Sequence, residues 1–191
     1  MLANQATNWF VSGEVPTRLG NAHPNLSPYQ PFPTRDGAVV IAVGNDGQFA
    51  ALCQALGDPG IATDPLFKTN AVRVEHRRAL GERLSGLTMT RTSAEWIAAL
   101  QVAGVPCGPI NTIDEVFAEP QAIARELVIS QPREDLAAPV RTVASPIRLS
   151  ETPTAYAGAP PALGADTEAV LAATLGLSGA EMAALRSNGV I

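Results

Sequence analysis

The segment GNAHPNLSPYQPFPTRDGAVVIAVGN, residues 20–45, decides how the rest of the chain is read. Gly20 and Asn21 tolerate positive φ, and Pro24 and Pro28 stiffen the residues after them. Small residues in such a loop suit the presentation of backbone amides to an anionic ligand. Residues 29–33 read as an extended edge strand, because prolines are barred from the middle of a sheet. Thr34-Arg35-Asp36-Gly37 reads as a turn, with Gly37 at a position of positive φ. Residues 38–43 form a short apolar strand, and Gly44-Asn45-Asp46 ends it and caps a helix.

Working upstream, residues 1–12 carry Leu2, Ala6, Trp9 and Phe10 near helical spacing, and Gly13 suits the position after a helix end. No cap or entry turn precedes them, so the stretch reads as the end of an element that begins earlier. Downstream, a helix is expected from Asn45-Asp46 through Leu56, with Phe49, Leu52, Ala55 and Leu56 inward and Gly57 as its stop. Asp64-Pro65-Leu66-Phe67 reads as a turn. A helix is expected over residues 70–87, and another from Thr92 or Ser93 to Gly104 with Trp96, Ile97 and Leu100 on one face. The run Val105-Pro-Cys-Gly-Pro-Ile110 is extended, since the residue before a proline avoids the helical region. Thr112-Ile-Asp-Glu115 is a capping box for a short helix, and Pro120 suits the first position of the next.

Beyond Leu127 the texture changes to short strands over 127–130 and 140–144, with 146–150 continuing extended. Residues 151–164 are rich in proline and small residues and read as a linker. Asp166 is placed to cap a helix to Leu175, and Ser178-Gly-Ala-Glu181 is a second capping box.

Composition excludes several classes. The 191 residues are 46% hydrophobic and 16% charged, as in a globular chain. A formal charge of −5 disfavours nucleic acid or an anionic membrane as partner. Cys53 and Cys107 are too few for a disulfide framework and lack metal-site spacing. No apolar run approaches a membrane span and no signal-peptide pattern opens the chain, so a cytoplasmic protein is expected. Arginine in excess of lysine and abundant alanine fit a GC-rich bacterial genome.

The ordered landmarks GNAHPN, the Asp-Gly turn, AVGN, TNAVRVEHR, GVPCGPIN, DEVFAEPQ, PIRLSETP, LGADTEAVL and LGLSGAEMAAL resemble the family III CoA-transferases over nearly the whole chain. That family, also called CaiB/BaiF-like, includes formyl-CoA and carnitine CoA-transferases and α-methylacyl-CoA racemase. The family's usual Gly-Glu-His-Thr stands here as Gly164-Ala165-Asp166-Thr167, a change within helix-cap territory. The resemblance implies an α/β fold with α+β character in this part: 1–20 as the end of a linker helix from an earlier, catalytic half, 21–125 as a small α/β domain with a short sheet, and 126–191 as strands and helices returning to a Rossmann-like large domain. It implies acyl-CoA and a carboxylic acid as substrates, coenzyme A as the carried group, no metal, and an interlocked homodimer. It also implies a chain about twice this long, with its catalytic aspartate upstream of residue 20.

In the implied chemistry an aspartate attacks an acyl-CoA thioester, and an aspartyl-CoA intermediate is then attacked by a second acid. A carboxylate is a weak nucleophile and needs positioning and oxyanion donors. The seven aspartates of this chain all fall in turns, caps or first helical turns, and none matches the family nucleophile. No catalytic residue is therefore expected here. The substrate-loop candidates are Gly20, Asn21, Ala22, His23, Pro24 and Tyr29, by position in a loop that in the family covers the reacting carboxyl. His23 is weighed as a general base, as a support for the loop, and as a contact to a substrate carboxylate. Tyr29 and Gln30 are weighed as substrate contacts or as residues packing on Trp96 or Phe32. His76 is read as solvated surface beside Arg73, Arg77 and Arg83, and both cysteines as small packed residues. Gly44-Asn45-Asp46-Gly47 lacks the Gly-Lys-Ser/Thr of a phosphate loop. Two other readings stand beside the transferase: an acyl-CoA racemase fragment, and an inactive remnant or binding module.

Overall fold

The computed structural model describes residues 2–191, which divide into two compact units at Asn111/Thr112. The division comes ahead of the 125/126 boundary expected from sequence. Both units mix helices with short antiparallel sheets, an α/β arrangement of the expected kind.

The first unit runs α1 (Ala3–Ser12), β1 (Tyr29–Pro33), β2 (Ala38–Ala42), α2 (Asp46–Ala55), a 3₁₀ turn (Pro59–Thr63), α3 (Asn70–Glu75), α4 (Arg77–Thr88), α5 (Ser93–Val102) and β3 (Cys107–Pro109). The sheet order is β1-β2-β3, all antiparallel, with Tyr29 opposite Ala42 and Ile41 opposite Cys107. Prolines 31, 33 and 109 thus lie on the two outer strands, where a missing N–H leaves no hole in the ladder. β2 is central and free of proline. Its Val39 and Ile41 are fully buried while the intervening residues are half-buried, the period-two signature of a strand with one face on a core.

Three helices close over that face. Phe49 and Leu52 come from α2, Leu80 and Leu84 from α4, and Trp96 and Leu100 from α5, all within 1% of full burial. Each such side chain contributes roughly 1.5–3 kcal/mol by leaving water. Trp96 also satisfies its indole N–H on the Thr88 carbonyl at 2.6 Å. α5 starts at a capping box in which Thr92 and Glu95 exchange hydrogen bonds.

The turn before β2 is built differently from expectation. Thr34 N–H donates to the Gly37 carbonyl at 2.9 Å, but Gly37 is not among the glycines of positive φ. Asp36 holds the turn instead. Its Oδ1 accepts from Thr34 Oγ1 at 3.0 Å, Ser93 N at 2.8 Å and Ser93 Oγ at 3.1 Å, tying the hairpin to the start of α5. The Ser93 amide, followed by the two hydroxyls, holds the Asp36 carboxyl below the usual aspartate range.

The helix expected over 70–87 is two helices. His76, at φ −102° and ψ 23°, breaks the run between α3 and α4. Across the break, Arg77 Nε donates to the Val74 carbonyl at 3.2 Å.

Among the buried described residues Arg73 is the one charged side chain, with no exposure at all. Its Nε donates to Ser27 O at 2.7 Å, Nη1 to Phe67 O at 3.0 Å and Nη2 to Asp46 Oδ1 at 2.7 Å. Its guanidinium carbon lies 4.2 Å from the centre of the Phe49 ring. Asp46 also accepts from the Asn70 amide at 3.1 Å, so one carboxylate serves the N-termini of both α2 and α3.

The second unit holds α6 (Ile113–Ala118), α7 (Pro120–Ala124), β4 (Val128–Gln131), β5 (Val140–Val143), α8 (Thr167–Leu175) and α9 (Gly179–Ser187). The capping boxes at Thr112 and Ser178 and the leading Pro120 stand where expected. β4 and β5 form a hairpin with Val128 opposite Val143. Residues 146–150 do not continue as a strand, and no regular element lies between β5 and α8. Arg133 anchors that stretch by pairing with Asp135 at 2.6 Å and donating to Pro160 O at 3.0 Å. Asp166 occupies the cap position of α8 but its side chain makes no cap hydrogen bond. Leu2, Trp9 and Phe10 of α1 and Val170 and Leu175 of α8 are exposed, as expected of apolar faces without a cover. Leu171 and Leu185 are half-buried instead; the Arg186–Glu168 pair at 2.7 Å joins α8 to α9.

Two outcomes are expected in urea unfolding. Arg73→Ala is expected to cost about 3 kcal/mol or more, through a cavity and unpaired carbonyls, whereas Asp46→Asn, which keeps an acceptor, is expected to cost less. Equal costs would show that the buried guanidinium organises nothing. For Asp36 the folded carboxyl titrates below its unfolded value, so its contribution is complete above the ordinary aspartate range and is lost as pH falls through it. Asp36→Asn is therefore expected to lower stability at pH 7 and to flatten the acid limb of a stability–pH curve; a parallel curve would contradict this.

Candidate active-site loop

Residues 20–28 leave α1 through an irregular stretch and return into β1. Gly20 has φ +61°, a left-handed conformation that a side chain strains, while a Cβ there would meet nothing within 4 Å. Glycine is required at this point by the backbone turn and not by crowding. Ala22 N–H donates to Leu19 O at 3.2 Å, and His23 N–H to Tyr29 O at 2.9 Å.

His23 organises the next turn. Its Nδ1 accepts from Asn25 N and from Leu26 N, both at 3.1 Å. In the neutral ring the proton therefore sits on Nε2. The Tyr29 ring stacks on the imidazole, centroids 5.1 Å apart and planes 21° apart. Tyr29 thus packs on His23, not on Trp96 or Phe32. Strand alternation explains it: residues 29 and 32 point to opposite faces of β1, and Phe32 takes the core side.

The loop's carbonyls are held from α3 and α4. Arg77 donates from Nη1 to His23 O at 3.0 Å and from Nη2 to Pro24 O at 2.6 Å. Asn70 donates to Asn25 O at 2.8 Å and accepts from Ser27 N at 3.1 Å. Arg73 takes Ser27 O. From the other side, Asn8 of α1 and Asn25 exchange two amide bonds of 2.9 Å. The amides of residues 22, 23, 25, 26 and 27 are all engaged inside the loop or its supports. This narrows the expected amide-presenting surface to its leading edge, Gly20 and Asn21, whose N–H groups have no hydrogen bond among the described residues.

The arginines expected to form a solvated face with His76 do something else. Arg73 is buried and Arg77 half-buried, both gripping the loop, and Arg83 pairs with Asp58 at 2.9 Å and Asp64 at 3.5 Å. Sequence reasoning does not single out Asn25, Asn70, Arg73 or Arg77 as site residues. Residues 70, 73 and 77 fall on one helical stripe, and that spacing is the signal the sequence offers.

The aspartates have structural employment. Asp36, Asp46, Asp58, Asp64, Asp114 and Asp135 each accept from a local amide, hydroxyl or arginine, and Asp166 occupies a helix-cap position. The Thr112 hydroxyl lowers the Asp114 carboxyl, and Arg133 lowers that of Asp135. Burial pushes the Cys53 thiol up to about 11 and raises that of Cys107, which disfavours the nucleophilic thiolate in both. Cys107 packs against the core with its Sγ 3.8 Å from Ile97 O. In the second unit an open, mainly apolar groove of about 760 Å³ lies among Ile113, Phe117, Val128, Arg141 and Val143; no sequence candidate lines it. Among the described residues no group of three or more His, Cys, Asp or Glu could hold a metal ion, and no helix is long and apolar enough to cross a membrane.

Comparison with known proteins agrees with this architecture. The chain is 47% identical over 135 residues to a succinate–glutarate CoA-transferase of Agrobacterium fabrum, covering 71% of this chain and 34% of that protein. It is 35% identical over 192 aligned positions to an acyl-CoA transferase of Fusarium pseudograminearum, covering all of this chain and 42% of the relative. The chain therefore spans well under half the length of these relatives. A crystal structure of a CaiB/BaiF family protein from Brucella suis superposes with a TM-score of 0.75 at 41% identity, over 91% of this chain and 44% of that one. The sequence profile of CoA-transferase family III matches residues 1–167, and the chain belongs to that family.

Proposed function

We propose that this chain forms the C-terminal part of a CoA-transferase that moves CoA from an acyl-CoA to a carboxylic acid, with a dicarboxylate such as glutarate as acceptor. The observation that carries this is its 47% identity over 135 residues to a succinate–glutarate CoA-transferase. The aspartyl nucleophile lies outside this chain in this reading, because each aspartate present is accounted for by a turn, cap or ion pair. The aspartate attacks the thioester carbonyl and expels the CoA thiolate. The thiolate then attacks the aspartyl carbonyl of the mixed anhydride and frees the donor acid. The acceptor carboxylate attacks the aspartyl-CoA thioester, and the thiolate returns to the acceptor carbonyl, regenerating the aspartate. Each step builds negative charge on a carbonyl oxygen, which donors fixed in advance stabilise.

Loop 20–28 is the part of this chain assigned to that role. It is rigidly supported, and its remaining donors are the Gly20 and Asn21 amides and the His23 ring. The working assembly proposed is the interlocked, cytoplasmic homodimer that the family resemblance implies, acting on acyl-CoA without a metal.

The test joins this chain to the N-terminal portion of the Agrobacterium fabrum relative. The chimera is expected to transfer CoA from succinyl-CoA to glutarate, and the 191-residue chain alone to show no turnover. A folded chimera without transfer to any dicarboxylate would overturn the proposal. So would turnover by the isolated chain that disappears when one of its aspartates is changed.

In that chimera, Gly20→Val strains a φ of +61° and displaces the loop's leading edge. It is expected to lower kcat by on the order of 100-fold, the usual cost of losing an oxyanion donor, with the acyl-CoA KM within a few-fold. A change chiefly in the acyl-CoA KM would show that the loop binds CoA and does not serve the reacting carboxyl.

A further inference from the structure

We infer that His23 is a fixed hydrogen-bond donor, held so that its Nε2–H presents to a carboxylate of the acid substrate, and that it is not the general base of the site. The inference rests on the transferase reading above and assigns a residue to the recognition of its acid.

The argument starts from the ring's two nitrogens. Nδ1 already accepts two backbone amides, from Asn25 and Leu26 at 3.1 Å each. The neutral ring therefore has no lone pair left to take a proton from substrate. Nε2 carries the hydrogen and has no hydrogen-bond partner among the described residues. No buried side-chain nitrogen or oxygen among them lacks a partner, so Nε2 lies at the surface. Stacking on Tyr29 fixes the ring plane, and the ring's own backbone is pinned through His23 O on Arg77 and His23 N on Tyr29 O. The donor thus has a set direction before any ligand arrives.

Charge decides what such a donor takes. Arg77 sits directly behind the loop, half-buried, with its guanidinium spent on the carbonyls of Val74, His23 and Pro24. No carboxylate among the described residues pairs with it. A cation balanced only by carbonyl dipoles leaves positive potential in front of the loop, and its bonds polarise the peptide that carries His23. An unpaired N–H in that field, on the same loop as the open amides of Gly20 and Asn21, favours an anionic oxygen over a neutral one. Arg77 is in this account a positioning residue, acting through the loop it holds.

Two amide side chains separate the ring's two jobs. His23→Asn places an acceptor near the position of Nδ1 and no donor at that of Nε2, so it keeps the turn and removes the outward N–H. His23→Gln does the reverse. Nitrogen-15 NMR of the 191-residue chain is expected to show His23 as the Nε2–H tautomer. Its Nε2 resonance is expected to move on titration with glutarate and to stay with neutral glutaramide at matched ionic strength. The opposite tautomer, or a resonance indifferent to glutarate, overturns the inference whatever the enzyme does. In the chimera, His23→Asn is expected to raise the glutarate KM about tenfold or more, the scale of one hydrogen bond to a charged group, with the succinyl-CoA KM held. His23→Gln, which keeps a donor near Nε2 but loses the acceptor of the turn, is expected to recover part of that loss. Transfer with an unchanged glutarate KM in His23→Asn overturns the donor role and leaves the transferase reading standing. Absence of transfer by the unmodified chimera overturns the transferase reading, while the tautomer and titration results still decide the donor.

Discussion

A guanidinium with no access to water must find its partners inside the fold, and in this chain Arg73 finds them on three separate segments. It takes the Ser27 carbonyl from the loop, the Phe67 carbonyl from the turn before α3, and the Asp46 carboxylate from the start of α2. A buried ion left without such partners costs several kcal/mol, so arrangements that lose any of them are strongly disfavoured. Buried ion pairs are weak sources of net stability. The better account of Arg73 is selection: it admits one relative placement of loop, turn and helix.

The residues on either side of it extend the same grip. Asn70 and Arg77 share its helical stripe and bond the loop at residues 23, 24, 25 and 27. The break at His76 falls directly before Arg77, the first residue of α4, whose head bonds the loop carbonyls. Energy spent in folding the first unit therefore goes into fixing the loop before a substrate binds. Preorganised donors are the more effective kind, because they need no rearrangement as charge develops. The landmarks GNAHPN, AVGN with Asp46, and TNAVRVEHR, scattered in the sequence, are bonded to one another in space.

Much of the fold was legible because it rests on local rules. Prolines place β1 at the sheet edge, a short apolar run marks β2, capping boxes at Thr112 and Ser178 mark helix starts, and the glycines at 13, 57 and 104 mark helix ends. What was not legible depends on partners distant in sequence. Gly37 reads as a left-handed turn residue until Ser93, far along the chain, is seen to hold Asp36. Residues 70–87 read as one helix, and nothing local to the sequence marks the break at His76. Asp166 reads as a cap but makes no cap bond. At the site, the loop and the His23–Tyr29 pair lie within one short stretch. Arg73 reads as surface because arginine usually is, and its burial depends on acceptors that only the tertiary fold supplies. Motif order carried the family, and contacts between distant landmarks carry the mechanism.

The central claim is that loop 20–28 is built into its working conformation by its supports. Native-state amide hydrogen exchange on the 191-residue chain measures this residue by residue. The account predicts that the amides of His23, Asn25, Leu26 and Ser27 are protected to the same degree as those of β1 and β2, and that Arg77→Met removes the protection of Asn25 and Leu26 while leaving the strands unchanged. Exchange of these four amides at the rate of an open surface loop in the unmodified chain would contradict it.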